Sequence, residues 1–209
     1  MIEVSQLISS KDGAFSRFYL PMGALIAGSG ISPEGIPARL VKEAMSRLGQ
    51  LDYLRGQILE SEDVVGKLVG AIPWSPDMAL TIRTAMFKCQ LYAEAFYLFS
   101  FRIFDITRDV NQELFSKKKI CLEPSGIRDV RNHLIIHPTR RRQPVLNRSY
   151  HVSMQDGRGV VLKSTRLTGE ESEHEDAGFR ANAAEFQGFI ENWVVEVARR
   201  LGIERPMLA

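Results

Sequence analysis

The sequence predicts a mainly α-helical bundle with one inserted β-hairpin near residues 150–165, and three observations support this fold class. No glycine or proline interrupts residues 77–123. Apolar residues recur at spacings of three and four before, within and after that stretch, which is the pattern of a helix with one buried face. Alternation of apolar and polar residues around a turn signal occurs only near 150–165, so a single strand pair is expected there.

The N-terminal third is the least regular part of the pattern. Glycines punctuate residues 1–35, which we interpret as an irregular arm or cap. Apolar spacing then predicts a helix from Pro37 to about Leu59, weakened by Gly49 and Gly56. A shorter helix is expected from Ser61 to about Val69, with Ser61 as its N-terminal cap.

The strongest helix signal begins at Ser75. A capping serine there precedes Pro76 at the first helical position and Asp77 at the second, which together favour a helix start. The stretch that follows is either one long helix or two helices broken near residue 100. Its apolar stripe comprises Ala79, Ile82, Met86, Cys89, Ala93, Phe96, Ser100, Ile103, Thr107, Val110 and Leu114. Five aromatics widen it, and we interpret them as core and dimer packing rather than as a base-stacking platform: Tyr92, Tyr97, Phe99, Phe101 and Phe104.

The C-terminal third combines the predicted hairpin with a last helix. Tyr150–Met154 and Val160–Thr165 flank an Asp156-Gly157 turn, which is a hairpin signature. The acidic run that follows predicts a mobile, solvated loop at 169–176. A helix is expected from about Ala177 to Leu201, with the glycine at position 202 as its stop. We treat residues 1–209 as a single domain, with the bundle at 36–201.

Composition limits the class of protein. Apolar residues make up 44% and charged residues 25%, as in ordinary globular proteins, and a net charge of +2 excludes a polycation that coats nucleic acid. Two isolated cysteines, Cys89 and Cys121, suit a reducing cytoplasm. The chain begins without the basic and apolar regions of a secretory signal, and its longest weakly polar run, Leu20–Ile31, is too short to span a membrane. We expect a cytoplasmic protein with no membrane association and no cofactor.

The segment 127–138 carries the strongest chemical signal. Arg131 and Asn132 are followed by four residues and then by His137, directly before a proline. Arginine offers a planar fork of donors to phosphate oxygens, and histidine can exchange a proton near neutral pH. The structural alternative is that Arg131 pairs with an acid, Asn132 caps backbone groups and His137 simply ends a helix.

The geometry of one helix does not bring these groups together. On an ideal helix the apolar residues of this segment form one stripe: Ile127, Val130, Leu134 and, nearer its edge, Ile135. Arg131 and His137 would then lie on opposite flanks of that stripe, roughly 9 Å apart along the axis. An antiparallel pair of such helices about a two-fold axis would bring the Arg131 of each chain towards the His137 of the other. Alternatively, Pro138 turns His137 off the helical path. The sequence leaves both arrangements open.

Arg-Asn, four residues and His near the end of a late helix resembles the signature of the HEPN superfamily (higher eukaryotes and prokaryotes nucleotide-binding). The resemblance implies a bundle of about four core helices, a homodimer and, in many members, metal-independent endoribonuclease activity at the dimer cleft. Carried over by position, it assigns the catalytic roles to Arg131, Asn132 and His137. Many members are toxins or defence effectors, so an antitoxin-like partner is implied, whereas others bind RNA, a nucleotide or a protein without cutting. The hairpin and the N-terminal arm depart from the minimal bundle.

Cationic residues around the motif are candidates for contacts with RNA phosphates. They are Arg128, His133, Arg140, Arg141 and Arg142. His133 and His137 are four residues apart, but the neighbouring sequence offers no third or fourth ligand, so we expect no metal site. A glycine-rich phosphate loop and a Gly-x-Ser-x-Gly nucleophile motif are both absent from the sequence.

Overall fold

Helices form most of the part of the chain that the structure, a computed structural model, describes. It describes residues 13–28, 30–69, 75–124, 127, 148–154, 160–166, 173–175 and 179–203. Within these ranges a 3₁₀ turn at Ser16–Phe18 leads into α1 (Tyr19–Gly28), followed by α2 (Ile36–Val69), α3 (Pro76–Phe115) and α4 (Phe179–Arg200). The expected mainly helical bundle is confirmed at this level.

Helix α3 is one continuous helix of 40 residues and begins where the sequence predicted. The backbone amide of Met78 donates to Oγ of Ser75 at 3.2 Å, which satisfies one of the free amides of the first turn. Most of the predicted stripe is buried, including Cys89, Phe96 and Ile103 at 0% exposure, so the interpretation of that face as core is confirmed.

Helix α2 differs from the sequence-based expectation because it runs unbroken through Gly49, Gly56 and Ser61. The Ser61 hydroxyl donates to the carbonyl of Gln57 at 2.8 Å, one turn back, and therefore does not cap a new helix. Gly49 and Gly56 each lower the stability of the helix by about 1 kcal/mol relative to alanine. Burial of the α2 residues Leu48, Leu51 and Ile58, all at 0% exposure, outweighs that cost.

Residues 19–28 differ from the irregular arm that the sequence suggested, since they form α1. The turn before α1 is held by Asp52, whose carboxylate accepts the backbone amides of Phe15 at 2.9 Å and Ser16 at 2.7 Å. Phe15 and Phe18 are buried, as expected of residues that cover the core, whereas Leu20 is 82% exposed.

Helix α4 ends at the predicted glycine. Gly202 has φ +68, and its amide donates to the carbonyl of Arg199 while the amide of Ile203 donates to that of Ala198. This pair of hydrogen bonds is a Schellman motif, in which glycine adopts the left-handed conformation at no steric cost.

Three short strands lie between α3 and α4. β1 (Arg148–Met154) pairs antiparallel with β2 (Val160–Arg166), and β2 pairs antiparallel with β3 (Glu173–Glu175). The connection at 155–159, with its predicted Asp-Gly turn, lies outside the described residues, so the hairpin as a whole stays a prediction. Residues 173–175 differ from the expected loop at 169–176 because their backbone pairs with β2.

The chain divides into two compact units. The first takes its described residues from 1–53, 99–125 and 184–209, and the second from 54–98 and 126–183. In the first unit, a row of aromatic rings joins Phe15 to Phe186 at 6.1 Å, Phe186 to Phe189 at 5.9 Å, and Phe189 to Phe104 at 5.6 Å. These rings form the centre of that unit's core.

The second unit has its own core and two polar links. The ring of Phe96 meets that of Phe179 edge to face, with centroids 4.9 Å apart. Asn182 Nδ2 donates to the buried Tyr97 hydroxyl at 2.9 Å. Arg180 forms an ion pair at 2.6 Å with Glu62, which is 5% exposed. These contacts fix the start of α4 within this unit.

Candidate functional site

The residues that the sequence assigned to the site lie outside the described part of the chain. These are Arg128, Arg131, Asn132, His133, His137, Arg140, Arg141 and Arg142. The structure describes the first residue of the predicted apolar stripe on this segment, Ile127, which is helical and 1% exposed. Its burial agrees with the predicted stripe at this one position, and the roles of the motif residues stay predictions.

The chain that approaches the motif is anchored to α3. We call residues 116–124 the approach segment. Asn111 of α3 donates from Nδ2 to the carbonyl of Lys118 in this segment at 3.1 Å. The Oδ1 of the same amide accepts the indole N–H of Trp193 at 2.9 Å. One buried asparagine therefore joins α3, α4 and the approach segment.

Charges also hold the approach segment. The Glu123 carboxylate pairs with Lys119 at 2.7 Å, and its other oxygen lies 3.7 Å from Nε of Arg108. That second pair is too long for a hydrogen bond, although both atoms are buried. The Arg108 guanidinium stacks over the Phe104 ring at 5.5 Å, which also holds it on α3. Pro124, the last described residue before a short gap, is buried.

Neither cysteine is an activated nucleophile. Burial, with a contribution from the neighbouring carboxylate of Glu62, raises the pKa of the Cys89 thiol to about 11. Burial likewise raises the pKa of Cys121 to about 11, with contributions from Glu123 and Glu196. A reactive cysteine needs a lowered pKa, because the thiolate is the attacking form. Both thiols therefore stay protonated near neutral pH.

Two surface carboxylates have lowered rather than raised pKa values. Hydrogen bonds from Arg102 and then from Arg47 lower the pKa of Glu43. Hydrogen bonds from Arg199 and Arg200 lower the pKa of Glu196 to about 2. A carboxyl that serves as general acid near neutral pH needs a raised pKa. These two groups are ion-pair partners, not candidates for acid catalysis.

An open groove of about 400 Å³ lies in the second unit, between α2 and α3. Its lining residues are Gln57, Glu60, Ser61, Val64, Leu80, Thr81, Thr84, Ala85 and Lys88. Two of its three hydroxyls are used within their own helices: Ser61 donates to Gln57, and Thr81 donates to the carbonyl of Asp77 at 2.9 Å. Neither of these two hydroxyls is paired with a general base. Sequence reasoning did not foresee the groove, because its hydroxyls look like ordinary polar positions.

The described residues contain no group of three or more histidine, cysteine, aspartate or glutamate side chains that could hold a metal ion. No helix in the same residues is long and apolar enough to cross a membrane.

Comparisons of the chain with protein-family models, with curated proteins and with solved structures find no match. The functional assignment therefore depends on the motif and on the fold class.

Proposed function

We propose that this chain is a HEPN-like, metal-independent endoribonuclease that acts in the cytoplasm as a homodimer, with an inserted hairpin at 150–165. The observation that carries the proposal is the motif formed by Arg131, Asn132 and His137, which follows α3 in a mainly helical chain. The raised pKa values of both cysteines and the lowered pKa values of Glu43 and Glu196 make these four groups unsuited to acid–base catalysis near neutral pH.

RNA supplies its own nucleophile, the 2′-hydroxyl. In the proposed reaction, a base removes the 2′-hydroxyl proton, the 2′ oxygen forms a bond to phosphorus, and the bond from phosphorus to the 5′ oxygen breaks. The 5′ oxygen then takes a proton, which leaves a 2′,3′-cyclic phosphate and a 5′-hydroxyl. His137 exchanges one of these protons, a role worth about 10²- to 10⁴-fold in rate.

Arg131 has a different task in this reaction. Its guanidinium binds the non-bridging oxygens, where negative charge grows in the transition state. One preorganised donor of this kind is worth about 3 kcal/mol. Asn132 orients one of the two partners by hydrogen bonding, and Arg128, His133 and the arginines at 140–142 bind flanking phosphates. A toxin or defence role, with an antitoxin-like partner, belongs to the same proposal.

Incubation of the full-length protein with RNA in EDTA tests the activity directly. We expect cleavage to products with 2′,3′-cyclic phosphate ends, and we expect Arg131→Ala and His137→Ala to abolish it with the circular dichroism spectrum unchanged. Matched controls are Arg39→Ala, an exposed arginine of α2, and His151→Ala, a histidine outside the motif. Cleavage that both motif variants retain would reject the catalytic assignment.

RNA binding without cleavage would instead indicate a catalytically silent HEPN-like module that binds RNA, a nucleotide or a partner protein.

The arginines at 140–142 allow a separate measurement of RNA binding. Each phosphate contact on single-stranded RNA adds about 0.7 to the slope of log affinity against log salt. Replacement of the arginines at 140–142 by alanine should reduce that slope by up to about 2 if all three bind phosphate.

A further inference from the structure

One face of α3 exposes four large apolar side chains in the second unit. Leu80 is 65% exposed, Phe87 66%, Leu91 52% and Leu98 41%. At 100° per residue they lie within about 40° of one another around the helix, and they extend over about 27 Å along it. We call these four residues the α3 stripe. The opposite face of the same helix holds the buried residues Ile82, Cys89 and Phe96.

We propose that the α3 stripe binds a second copy of this chain, with the two α3 helices antiparallel about a two-fold axis at the level of residue 89. Successive spacings in the stripe are seven, four and seven. Leu80 and Leu98 are each nine residues from position 89, and Phe87 and Leu91 are each two residues from it. In an antiparallel pair centred there, Leu80 faces Leu98 of the second copy and Phe87 faces Leu91. This reciprocity is what a two-fold interface requires.

The polar residues between the stripe positions follow the same symmetry. Thr84 and Glu94 occupy the two remaining seam positions of a heptad pattern and are also equidistant from position 89. Thr84 is exposed and Glu94 is half-buried, so the Glu94 carboxylate of one copy can accept the Thr84 hydroxyl of the other. Arg83, exposed beside Thr84, brings an opposite charge to the same carboxylate.

Arg83 is kept away from like charge in this pairing. Its antiparallel counterpart is Ala95, so Arg83 is level with no cation of the second copy. Lys88 lies about 80° from the centre of the stripe and therefore outside the apolar seam. The proposed interface is therefore an apolar seam with one charge contact on each side of the two-fold axis, between Arg83 of one copy and Glu94 of the other. Charge complementarity of this kind fixes register and orientation more than it adds affinity.

The size of the face sets the expected strength. A strip of about 27 Å on a helix about 10–12 Å wide lies at the low end of specific interfaces. A weak, reversible dimer is therefore expected. The inference concerns residues 80–98 and does not rest on the proposed ribonuclease activity, because oligomeric state is measured without RNA.

Sedimentation of the full-length protein across the micromolar range tests the face. Phe87→Lys and Leu91→Glu should each raise the dissociation constant at least tenfold. An equimolar mixture of the two variants should restore dimerisation, because the new lysine at 87 then faces the new glutamate at 91. Val195→Glu, at a 45% exposed apolar position of α4, is the matched control and should leave the dissociation constant unchanged. A monomer at all concentrations, or failure of the mixture to dimerise, would overturn the proposal.

The orientation has its own test, which uses milder substitutions. Thr84→Cys and Glu94→Cys are prepared separately, mixed, and oxidised gently. Antiparallel pairing brings position 84 of one chain to position 94 of the other, so the mixed disulfide should form faster than either symmetric disulfide. Preferential Thr84→Cys self-linking would indicate parallel helices and would refute the proposed arrangement. Equal, slow formation of all three disulfides would show that the face binds no second copy.

Discussion

The hydrogen bonds of Asn111 give the most direct test of what holds the approach segment. Asn111 is 3% exposed, accepts the indole N–H of Trp193 at 2.9 Å and donates to the carbonyl of Lys118 at 3.1 Å. Asn111→Leu places an apolar side chain of similar size at this position and removes both hydrogen bonds. Trp193, at 1% exposure, is then left with a buried N–H that water cannot reach.

The two lost bonds have different costs. An unsatisfied buried donor costs about 1–3 kcal/mol, and this penalty applies to the indole of Trp193. Lys118 is exposed, so water replaces Asn111 as the partner of its carbonyl, and the loss is only the net value of a hydrogen bond, about 0.5–1.5 kcal/mol. We therefore expect Asn111→Leu to lower the free energy of unfolding by about 1.5–4.5 kcal/mol.

Urea denaturation followed by far-ultraviolet circular dichroism measures this change. Gln112→Ala, an exposed neighbour on α3, is the control and should change stability by less than about 0.5 kcal/mol. A double-mutant cycle with Trp193→Phe isolates the bond itself, since the double variant leaves no orphaned donor. If Asn111→Leu is as stable as the wild type, the Asn111 hydrogen bonds do not hold the approach segment. If the cycle shows no interaction energy, the bond between Asn111 and Trp193 does not contribute to stability.

Four further predictions follow from local geometry. Asp52→Ala removes the acceptor of two backbone amides and should lower the free energy of unfolding, measured in urea, by about 2–4 kcal/mol. A loss below about 0.5 kcal/mol would show that Asp52 does not hold the turn before α1. Gly56→Ala, at a site with open space around the new methyl group, should raise stability by about 0.5–1 kcal/mol in a thermal melt, and a lower melting temperature would oppose this view. Ser116→Gly should stabilise by about 1 kcal/mol because Ser116 has φ 54, and no gain would show that its strain is relieved elsewhere. Cys89 and Cys121 each have a pKa of about 11, against an ordinary 9.0. At pH 8 they should therefore react with iodoacetamide about 100-fold more slowly than the same cysteines in the urea-unfolded chain. Equal rates would refute the raised pKa values.

Some local signals in the sequence were decisive because they depend only on nearby residues. The cap at Ser75 and the stop at Gly202 each satisfy backbone groups within one turn, so the sequence alone identified them. The continuity of α2 through Gly49 was not predictable in this way. It depends on the burial of α2 residues such as Leu48 and Leu51, both at 0% exposure, which outweighs a local cost.

Periodicity also cannot separate a core face from an exposed apolar face. Ile82 and Phe87 are both apolar members of the same helix, yet the first is buried and the second is 66% exposed. The distinction depends on which neighbours pack against α3, and this information is absent from the spacing. Phe96, another apolar member of this helix, is buried against Phe179.

For the candidate site, the sequence predicted which side chains could act on a phosphate but not how far apart they lie. Arg131 and His137 were chosen for what a guanidinium and an imidazole do with a phosphate, and their distance in space depends on the backbone path and on a second chain. Within the motif segment the structure describes Ile127, whose burial agrees with its place in the predicted apolar stripe.

Because the raised pKa values of Cys89 and Cys121 make both thiols poorly reactive, RNA binding can be measured with a dye on an introduced cysteine. Leu122 is 93% exposed and lies nine residues before Arg131. A cysteine introduced there would carry an ordinary, accessible sulfhydryl, so a maleimide dye would attach to it without deletion of Cys89 or Cys121. Such a fluorophore would report the arrival of an oligonucleotide near the motif in real time, even in a variant that cannot cut.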